Sequence, residues 1–140
     1  MSFPRWIAAA GLALALATPT LAGPPASIPP DDPAHAGAHR SFQDFAARWM
    51  RTMEQDASRV AGRIPPQGNP SRQGATYRSV GHDFQIELRP TGSTRAPYVG
   101  ILRYLESTHR CADAIAATCG VHSRATITEI FRFQNGKWIY

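Results

Sequence analysis

Hydrophobic residues recur at steps of three and four along residues 42–64, and this spacing is typical of one face of an α-helix. The apolar stripe comprises Phe42, Phe45, Ala46, Trp49, Met50, Met53, Ala57, Val60 and Ile64. The segment Ser-Phe-Gln-Asp at residues 41–44 resembles a capping box, which predicts that the helix begins at Ser41. Gly62 and the Pro65–Pro66 pair predict its end.

Beyond residue 79 the pattern changes to a period of two, which is typical of β-strands. Residues 80–89, 98–110, 122–134 and 137–140 are predicted strands, with His82 on the apolar side of the first. Asn135-Gly136, between the last two, is a strong hairpin signal because both residues tolerate positive φ. The predicted fold class is therefore α+β, with one long N-terminal helix packed on a four-stranded antiparallel meander.

The first 22 residues have the layout of a secretory signal peptide. Arg5 precedes an apolar run over residues 6–17, and the small residues Thr20 and Ala22 suit a cleavage site. The run is too short for a membrane-spanning helix. We therefore predict cleavage near Ala22 and a periplasmic or secreted protein without a transmembrane segment.

The mature chain divides into two predicted parts. Residues 23–40 include five prolines between residues 23 and 38 and show no periodicity, which predicts a proline-rich disordered linker. Residues 41–140 then form a single domain of a size that supports one modest core.

The two cysteines of the chain lie in His-Arg-Cys-Ala-Asp-Ala-Ile-Ala-Ala-Thr-Cys-Gly-Val-His-Ser-Arg, residues 109–124. In an exported protein an isolated pair is most simply a disulfide, here between Cys111 and Cys119. A zinc site formed with His109 and His122 is the alternative, although zinc ligands usually come in pairs at shorter spacing. We predict the disulfide, and neither a metal nor a cofactor.

The charge balance limits the classes of partner. The chain has 15 Lys and Arg residues against 10 Asp and Glu, and every basic residue except Lys137 is arginine. No arginine-rich run with interleaved aromatic residues occurs, so nucleic acid is not an expected partner. The positive charge is interpreted either as scattered, solvated surface charge, which is the usual case, or as a patch that contacts an acidic protein or, weakly, an anionic envelope surface.

The disulfide and the Asn-Gly turn together predict the register of the sheet. A pairing of Cys111 with Cys119 sets Leu105 opposite Ala125, and the turn sets Phe133 opposite Trp138. The face predicted to lie under the helix comprises Val99, Ile101, Leu105, Val121, Ala125, Ile127, Phe131, Phe133, Trp138 and Tyr140.

The other face is predicted to be open and to carry the function. Its candidate interface residues are Tyr98, Leu102, Tyr104, Arg110, Arg124, Ile130, Arg132 and Ile139. Apolar and tyrosine side chains with arginines around them are typical of protein interfaces. We therefore predict a protein partner, or a homodimer, on this face.

Three polar residues form a second candidate site, which the predicted register places between helix and sheet. Arg103 and Glu129 are charges on an otherwise apolar face, and His82 lies on the same face of the first strand. They are interpreted either as a structural ion pair or as an acid–base or anion-binding site. No nucleophile turn or other catalytic motif accompanies them, so the sequence favours a binding protein over an enzyme.

The C-terminal segment Thr-Glu-Ile-Phe-Arg-Phe-Gln-Asn-Gly-Lys-Trp-Ile-Tyr, residues 128–140, resembles the closing hairpin of small exported bacterial proteins of cystatin-like or nuclear-transport-factor-2-like topology. The cystatin resemblance implies a helix followed by an antiparallel meander. It does not extend to protease inhibition, because the Gln-Val-x-Val-x-Gly loop is absent. The second resemblance implies the alternative function, an enzyme or small-ligand binder that uses His82, Arg103 and Glu129.

Overall fold

The computed structural model describes residues 32–115 and 117–140, and it shows a helix packed on an antiparallel sheet. The helix α1 spans Pro33–Ala61, and a short 3-10 turn follows at Pro70–Arg72. The strands are β1 Thr76–Pro90, β2 Tyr98–Arg110, β3 Gly120–Gln134 and β4 Lys137–Ile139, in the spatial order β1-β2-β3-β4. The α+β prediction is confirmed, and the sheet is open. The predicted signal peptide and residues 23–31 of the predicted linker lie outside the described residues.

The helix begins at Pro33 and not at Ser41, so the prediction that residues 33–40 belong to a disordered linker was wrong. Asp32 is the N-cap, and its side chain accepts a hydrogen bond from the amide of Ala34 at 2.9 Å. Proline at the first helical position has the φ angle that a helix requires and lacks the N–H that would be unpaired there. Gly62 ends the helix as predicted.

Ser41, the predicted cap, lies inside the helix and fixes α1 on the sheet. Its hydroxyl accepts a hydrogen bond from the indole N–H of Trp138 at 3.1 Å. The next residue, Phe42, is fully buried, and its ring lies 4.5 Å from the Trp138 ring. Phe42 also covers Gly100 of β2 so closely that a Cβ atom on Gly100 would overlap its ring.

The core lies between the N-terminal half of α1 and one face of the sheet. Its buried members are Ala38, Phe42, Ala46, Met50, Tyr98, Leu102, Tyr104, Phe131 and Trp138. The C-terminal half of the helical stripe is less covered, and Val60 is 48% exposed. The predicted helical stripe is therefore a core contact from Phe42 to Met53, and not at Ala57 or Val60.

Two bulges modify the predicted register. In β1, residues 81–83 interrupt the pairing with β2 between Val80–Glu106 and Phe84–Tyr104. Between β2 and β3, Thr108 pairs with Ser123 while His109 pairs with Val121, which leaves His122 as an extra residue. The pairing set by the disulfide therefore holds only up to His109, and beyond it the prediction was wrong by one residue.

The extra residue His122 exchanges the two faces of β2 relative to the prediction. Leu105 pairs with Thr126 and not with Ala125, and Gly100 lies opposite Phe131. Because neighbouring side chains on a strand alternate between faces, the helix covers Tyr98, Leu102 and Tyr104. The predicted apolar face is wrong for Val99, Ile101, Leu105 and Val121, and Ala125 lies on the helix side but is exposed. It is right for the following residues: Ile127, Phe131, Phe133 and Trp138.

The two local signals behind that prediction are confirmed. Cys111 and Cys119 form a disulfide. Asn135 and Gly136 both have positive φ, and Phe133 pairs with Trp138 across the turn. Among residues 32–115 and 117–140, no helix has the length and apolar character needed to cross a membrane.

The contact between Phe42 and Gly100 predicts that adding a methyl group at position 100 destabilises the fold. Gly100→Ala should lower the free energy of unfolding by about 1–3 kcal/mol, because the added Cβ must displace a fully packed ring. Urea denaturation of Gly100→Ala, Phe42→Leu and the double variant would measure this, and Gly100→Ala should cost less when Leu replaces Phe42, because the smaller side chain leaves room for the added Cβ. Unchanged stability in Gly100→Ala would contradict this packing.

Candidate functional site: the open face of the sheet

The sheet face turned away from α1 is called the open face. Its apolar residues include Val99, Ile101, Leu105, Ile130 and Ile139, and its arginines are Arg89, Arg103, Arg124 and Arg132. Cross-strand pairs place them side by side: Arg89, Val99, Arg132 and Ile139 form one row, and Glu87, Ile101 and Ile130 form the next.

Three apolar residues of the open face, one each on β2, β3 and β4, are exposed to solvent. Ile130 is 56% exposed, Leu105 is 43% and Ile139 is 38%. Ile101 is buried, at the centre of the sheet between Glu87 and Ile130. Antiparallel sheets that leave one face to water usually carry polar residues there. Aliphatic side chains clustered on such a face are typical of an interaction surface.

Glu87 is the acidic residue among these rows, and two arginines hold it. Arg89 donates a hydrogen bond to one carboxylate oxygen at 2.6 Å, and Arg103 donates to the other at 3.1 Å. These bonds lower the pKa of the Glu87 carboxyl, the one from Arg89 contributing most. The carboxylate is therefore ionised at neutral pH and fixes both guanidinium groups on the open face.

Arg124 and Arg132 have a different environment. Both are exposed on β3, and neither forms an ion pair with any acidic side chain that the structure describes. Asp83 is a second acidic residue at this face, exposed in the β1 bulge and lining a shallow pocket with Arg103, Leu105 and Thr126. With four arginines against these two acidic residues, the open face carries an excess of positive charge beside its aliphatic centre.

The structure divides the predicted interface set between the two faces. Arg124, Ile130, Arg132 and Ile139 lie on the open face as predicted. Tyr98, Leu102 and Tyr104 are buried under α1, so their assignment to the open face was wrong. Arg110 is exposed at the end of β2, where it pairs with Thr76. Because its neighbour His109 lies on the open face, Arg110 lies on the helix side, and its assignment to the open face was wrong. The bulge at His122 accounts for this division.

The second predicted site is not assembled. Arg103 bonds to Glu87 on the open face, while Glu129 lies on the helix side and accepts a hydrogen bond from the Tyr104 hydroxyl at 2.9 Å. His82 lies in the β1 bulge, where its Nδ1 is 2.9 Å from Glu54 of α1. These residues lie in three separate environments, so the structure does not bring them together as a catalytic or anion-binding group.

Sequence reasoning missed a contact between a serine and a histidine. Ser79 Oγ lies 2.8 Å from His109 Nε2, and the imidazole stacks on Tyr77 with ring centroids 4.6 Å apart. The distance is one that a nucleophile and its base require. The other ring nitrogen, Nδ1, is buried without a hydrogen-bond partner among the described residues, so no carboxylate orients this histidine as in a triad. No short motif could have revealed the pair, because 30 positions separate the two residues.

A groove of about 490 Å³ lies on the helix side, where the C-terminal half of α1 faces β1 and β2. It is called the end groove. Its lining includes Met53, Asp56, Ala57, Val60, Thr76, Arg78, Val80, Glu106 and Thr108. Arg78 and Glu106 form an ion pair at 3.6 Å along its wall.

No protein-family model, curated protein or solved structure matches this chain. Among the described residues, no three His, Cys, Asp or Glu side chains are grouped so that they could hold a metal ion.

The buried phenol of Tyr104 predicts a late step in an alkaline titration. Burial, followed by the hydrogen bond to Glu129, raises the pKa of Tyr104 well above its ordinary value. The neutral, buried phenol contributes to the free energy of unfolding at any pH below the ordinary tyrosine pKa. This contribution is lost as the pH rises toward the raised pKa, because the phenol then ionises in the unfolded chain but not in the folded protein. Phenolate absorbance of wild type and Tyr104→Phe should show that the variant lacks the last phenol to ionise.

Glu129→Gln is the matched variant for the same titration. It keeps a hydrogen-bond acceptor but removes the negative charge, so the pKa of Tyr104 should move toward its ordinary value without reaching it. If the phenolate absorbance of Tyr104→Phe were lower than that of the wild type by the same fraction at every pH, Tyr104 would ionise together with the other tyrosines, and this would contradict its burial.

Proposed function

We propose that this protein is a small exported binding module whose open face docks an acidic region of a partner protein. The observation that supports this proposal most directly is that, on β3, exposed Ile130 lies beside Arg132 and Arg124 lies diagonal to exposed Leu105 of β2, while no acidic side chain of the described residues forms an ion pair with either arginine. An aliphatic centre gives contact area, and charges at the rim favour an oppositely charged partner.

Charge also favours an acidic partner over a second copy on this face. Two open faces brought together would place arginines against arginines, and like charges in juxtaposition oppose association. Glu87 offers little compensation, because Arg89 and Arg103 already occupy its two oxygens. An acidic protein surface meets both requirements of the open face.

Export is part of the proposal and rests on the sequence. The N-terminal charged, apolar and small-residue segments have the layout of a signal peptide. The disulfide between Cys111 and Cys119 is typical of an oxidising compartment. The partner is therefore sought among exported or envelope proteins.

The test uses two substitutions on the same strand. Ile130→Glu places a carboxylate on the open face, and Ala125→Glu places one at an exposed position of the helix side. Both should fold normally, because exposed substitutions usually change stability by less than about 0.5 kcal/mol. A pull-down from envelope extract, followed by titration of the captured protein, should show at least tenfold weaker binding for Ile130→Glu only.

A charge variant separates the basic rim from the aliphatic centre. Arg124→Glu/Arg132→Glu should weaken binding at low salt, and its deficit should shrink as salt rises, because salt screens exposed charges. Equal loss in Ile130→Glu and Ala125→Glu would overturn the assignment of the face. Binding of the wild type to anionic phospholipid vesicles and to no protein would overturn the protein partner.

A further inference from the structure

Ile115 is an aliphatic residue held out into solvent at the tip of the loop that the disulfide closes. Its side chain is 76% exposed. The loop begins at Cys111 and ends at Cys119. A large aliphatic side chain at this exposure is unfavourable in water and gains free energy when a surface covers it.

Hydrogen bonds fix the backbone of this tip before any partner arrives. The amide of Ile115 donates to Asp113 Oδ1 at 2.8 Å, and its carbonyl accepts a hydrogen bond from the Gln67 side chain. The neighbouring carbonyl of Ala114 accepts from the amide of Gly68 at 2.7 Å. A tip held in this way loses little conformational entropy on binding, as an anchor residue requires.

The same contacts join the tip to the end of the molecule that contains the end groove. Gln67 and Gly68 belong to the segment between α1 and β1, whose neighbouring elements form the walls of the end groove. Further along this segment, the amide of Gly74 donates to the carbonyl of Cys111 at 2.8 Å, and Arg72 donates to Cys119 Sγ at 3.5 Å. Tip and groove are therefore parts of one braced end of the chain.

The end groove suits an uncharged occupant. Met53, Ala57, Val60 and Val80 supply apolar lining. Its charged residues already have partners: Asp56 pairs with Arg59 at 2.7 Å, and Glu106 pairs with Arg78 at 3.6 Å. An aliphatic side chain placed there would bury apolar surface without leaving an unpaired charge.

We propose that two copies of this chain associate through these ends, each seating its Ile115 in the end groove of the other. The exposed apolar tip and the apolar groove are complementary surfaces on the same chain, and reciprocal insertion about a two-fold axis would close the dimer. The lining of the groove carries both signs of charge, in Asp56, Glu106 and Arg78, so two copies meet without the excess of arginine that opposes pairing of the open faces.

Sedimentation of the oxidised full chain over a range of concentrations tests the proposal. The wild type should be in a monomer–dimer equilibrium. Ile115→Asp, which alters the tip, and Val60→Lys, which alters the groove, should each raise the dissociation constant at least a hundredfold, because each dimer contains two such contacts. Lysine suits the last turn of a helix, so Val60→Lys should keep the fold.

A mixture of the two variants gives the sharpest readout. A mixed dimer contains one unchanged contact of Ile115 with Val60. In its other contact, the carboxylate introduced by Ile115→Asp meets the ammonium group introduced by Val60→Lys, and the two form an oppositely charged pair. The mixture should therefore associate more tightly than either variant alone. No such restoration is expected if the two substitutions act at unrelated surfaces.

Two further variants serve as controls. Val121→Lys changes a residue of this end that is exposed to a similar degree as Val60 but lies outside the groove lining, and Ile130→Glu changes the open face. Both should dimerise like the wild type, so this inference and the proposed function can fail independently. A monomeric wild type at every concentration, dimerisation of Ile115→Asp equal to the wild type, or a mixture that stays monomeric would overturn the proposal.

Discussion

The contact between Phe42 and Gly100 determines how the helix lies on the sheet. A ring can reach the backbone of a central strand only where no Cβ intervenes, and Gly100 provides that opening in β2. Phe42 then packs against Trp138 and Phe131, and Trp138 bonds to the neighbouring Ser41. Because Gly100 alternates with Val99 and Ile101, this contact also decides that those two residues lie on the opposite face.

The sequence predicted the elements of the fold better than the faces of one strand. The Asn-Gly turn was sufficient for the pairing of Phe133 with Trp138, and the bounds of β2 were predicted as Tyr98–Arg110. The buried face of β2 was predicted wrongly because apolar residues occur at both the odd-numbered and the even-numbered positions of this strand. The alternation of apolar and polar residues alone could not therefore show which face is buried. The extra residue at His122 shifted a register derived from the disulfide, and nothing in the local sequence marks that bulge.

The candidate site shows the same division. Its members on β3 and β4 were predictable, because the Asn-Gly turn alone determines which residues of these two strands share a face. They are Arg124, Ile130, Arg132 and Ile139. Leu105 and the arginines that hold Glu87 emerged only from the observed pairing of β2 with its neighbours. The helix start was missed for a different reason: the proline-rich composition before residue 41 concealed the Asp32 cap with Pro33 at the first helical position.

The central claim is that the helix covers the face of Gly100, Leu102 and Tyr104 and leaves the face of Val99, Leu105 and Ile130 open. Nuclear Overhauser contacts from the Phe42 ring in the folded, oxidised protein test it most directly. We predict strong cross-peaks from this ring to the α protons of Gly100 and to the Trp138 ring, and none from any α1 side chain to the methyl groups of Leu105 and Ile130. Cross-peaks from Phe42 to the Val99 and Ile101 methyl groups instead of Gly100 would contradict the account.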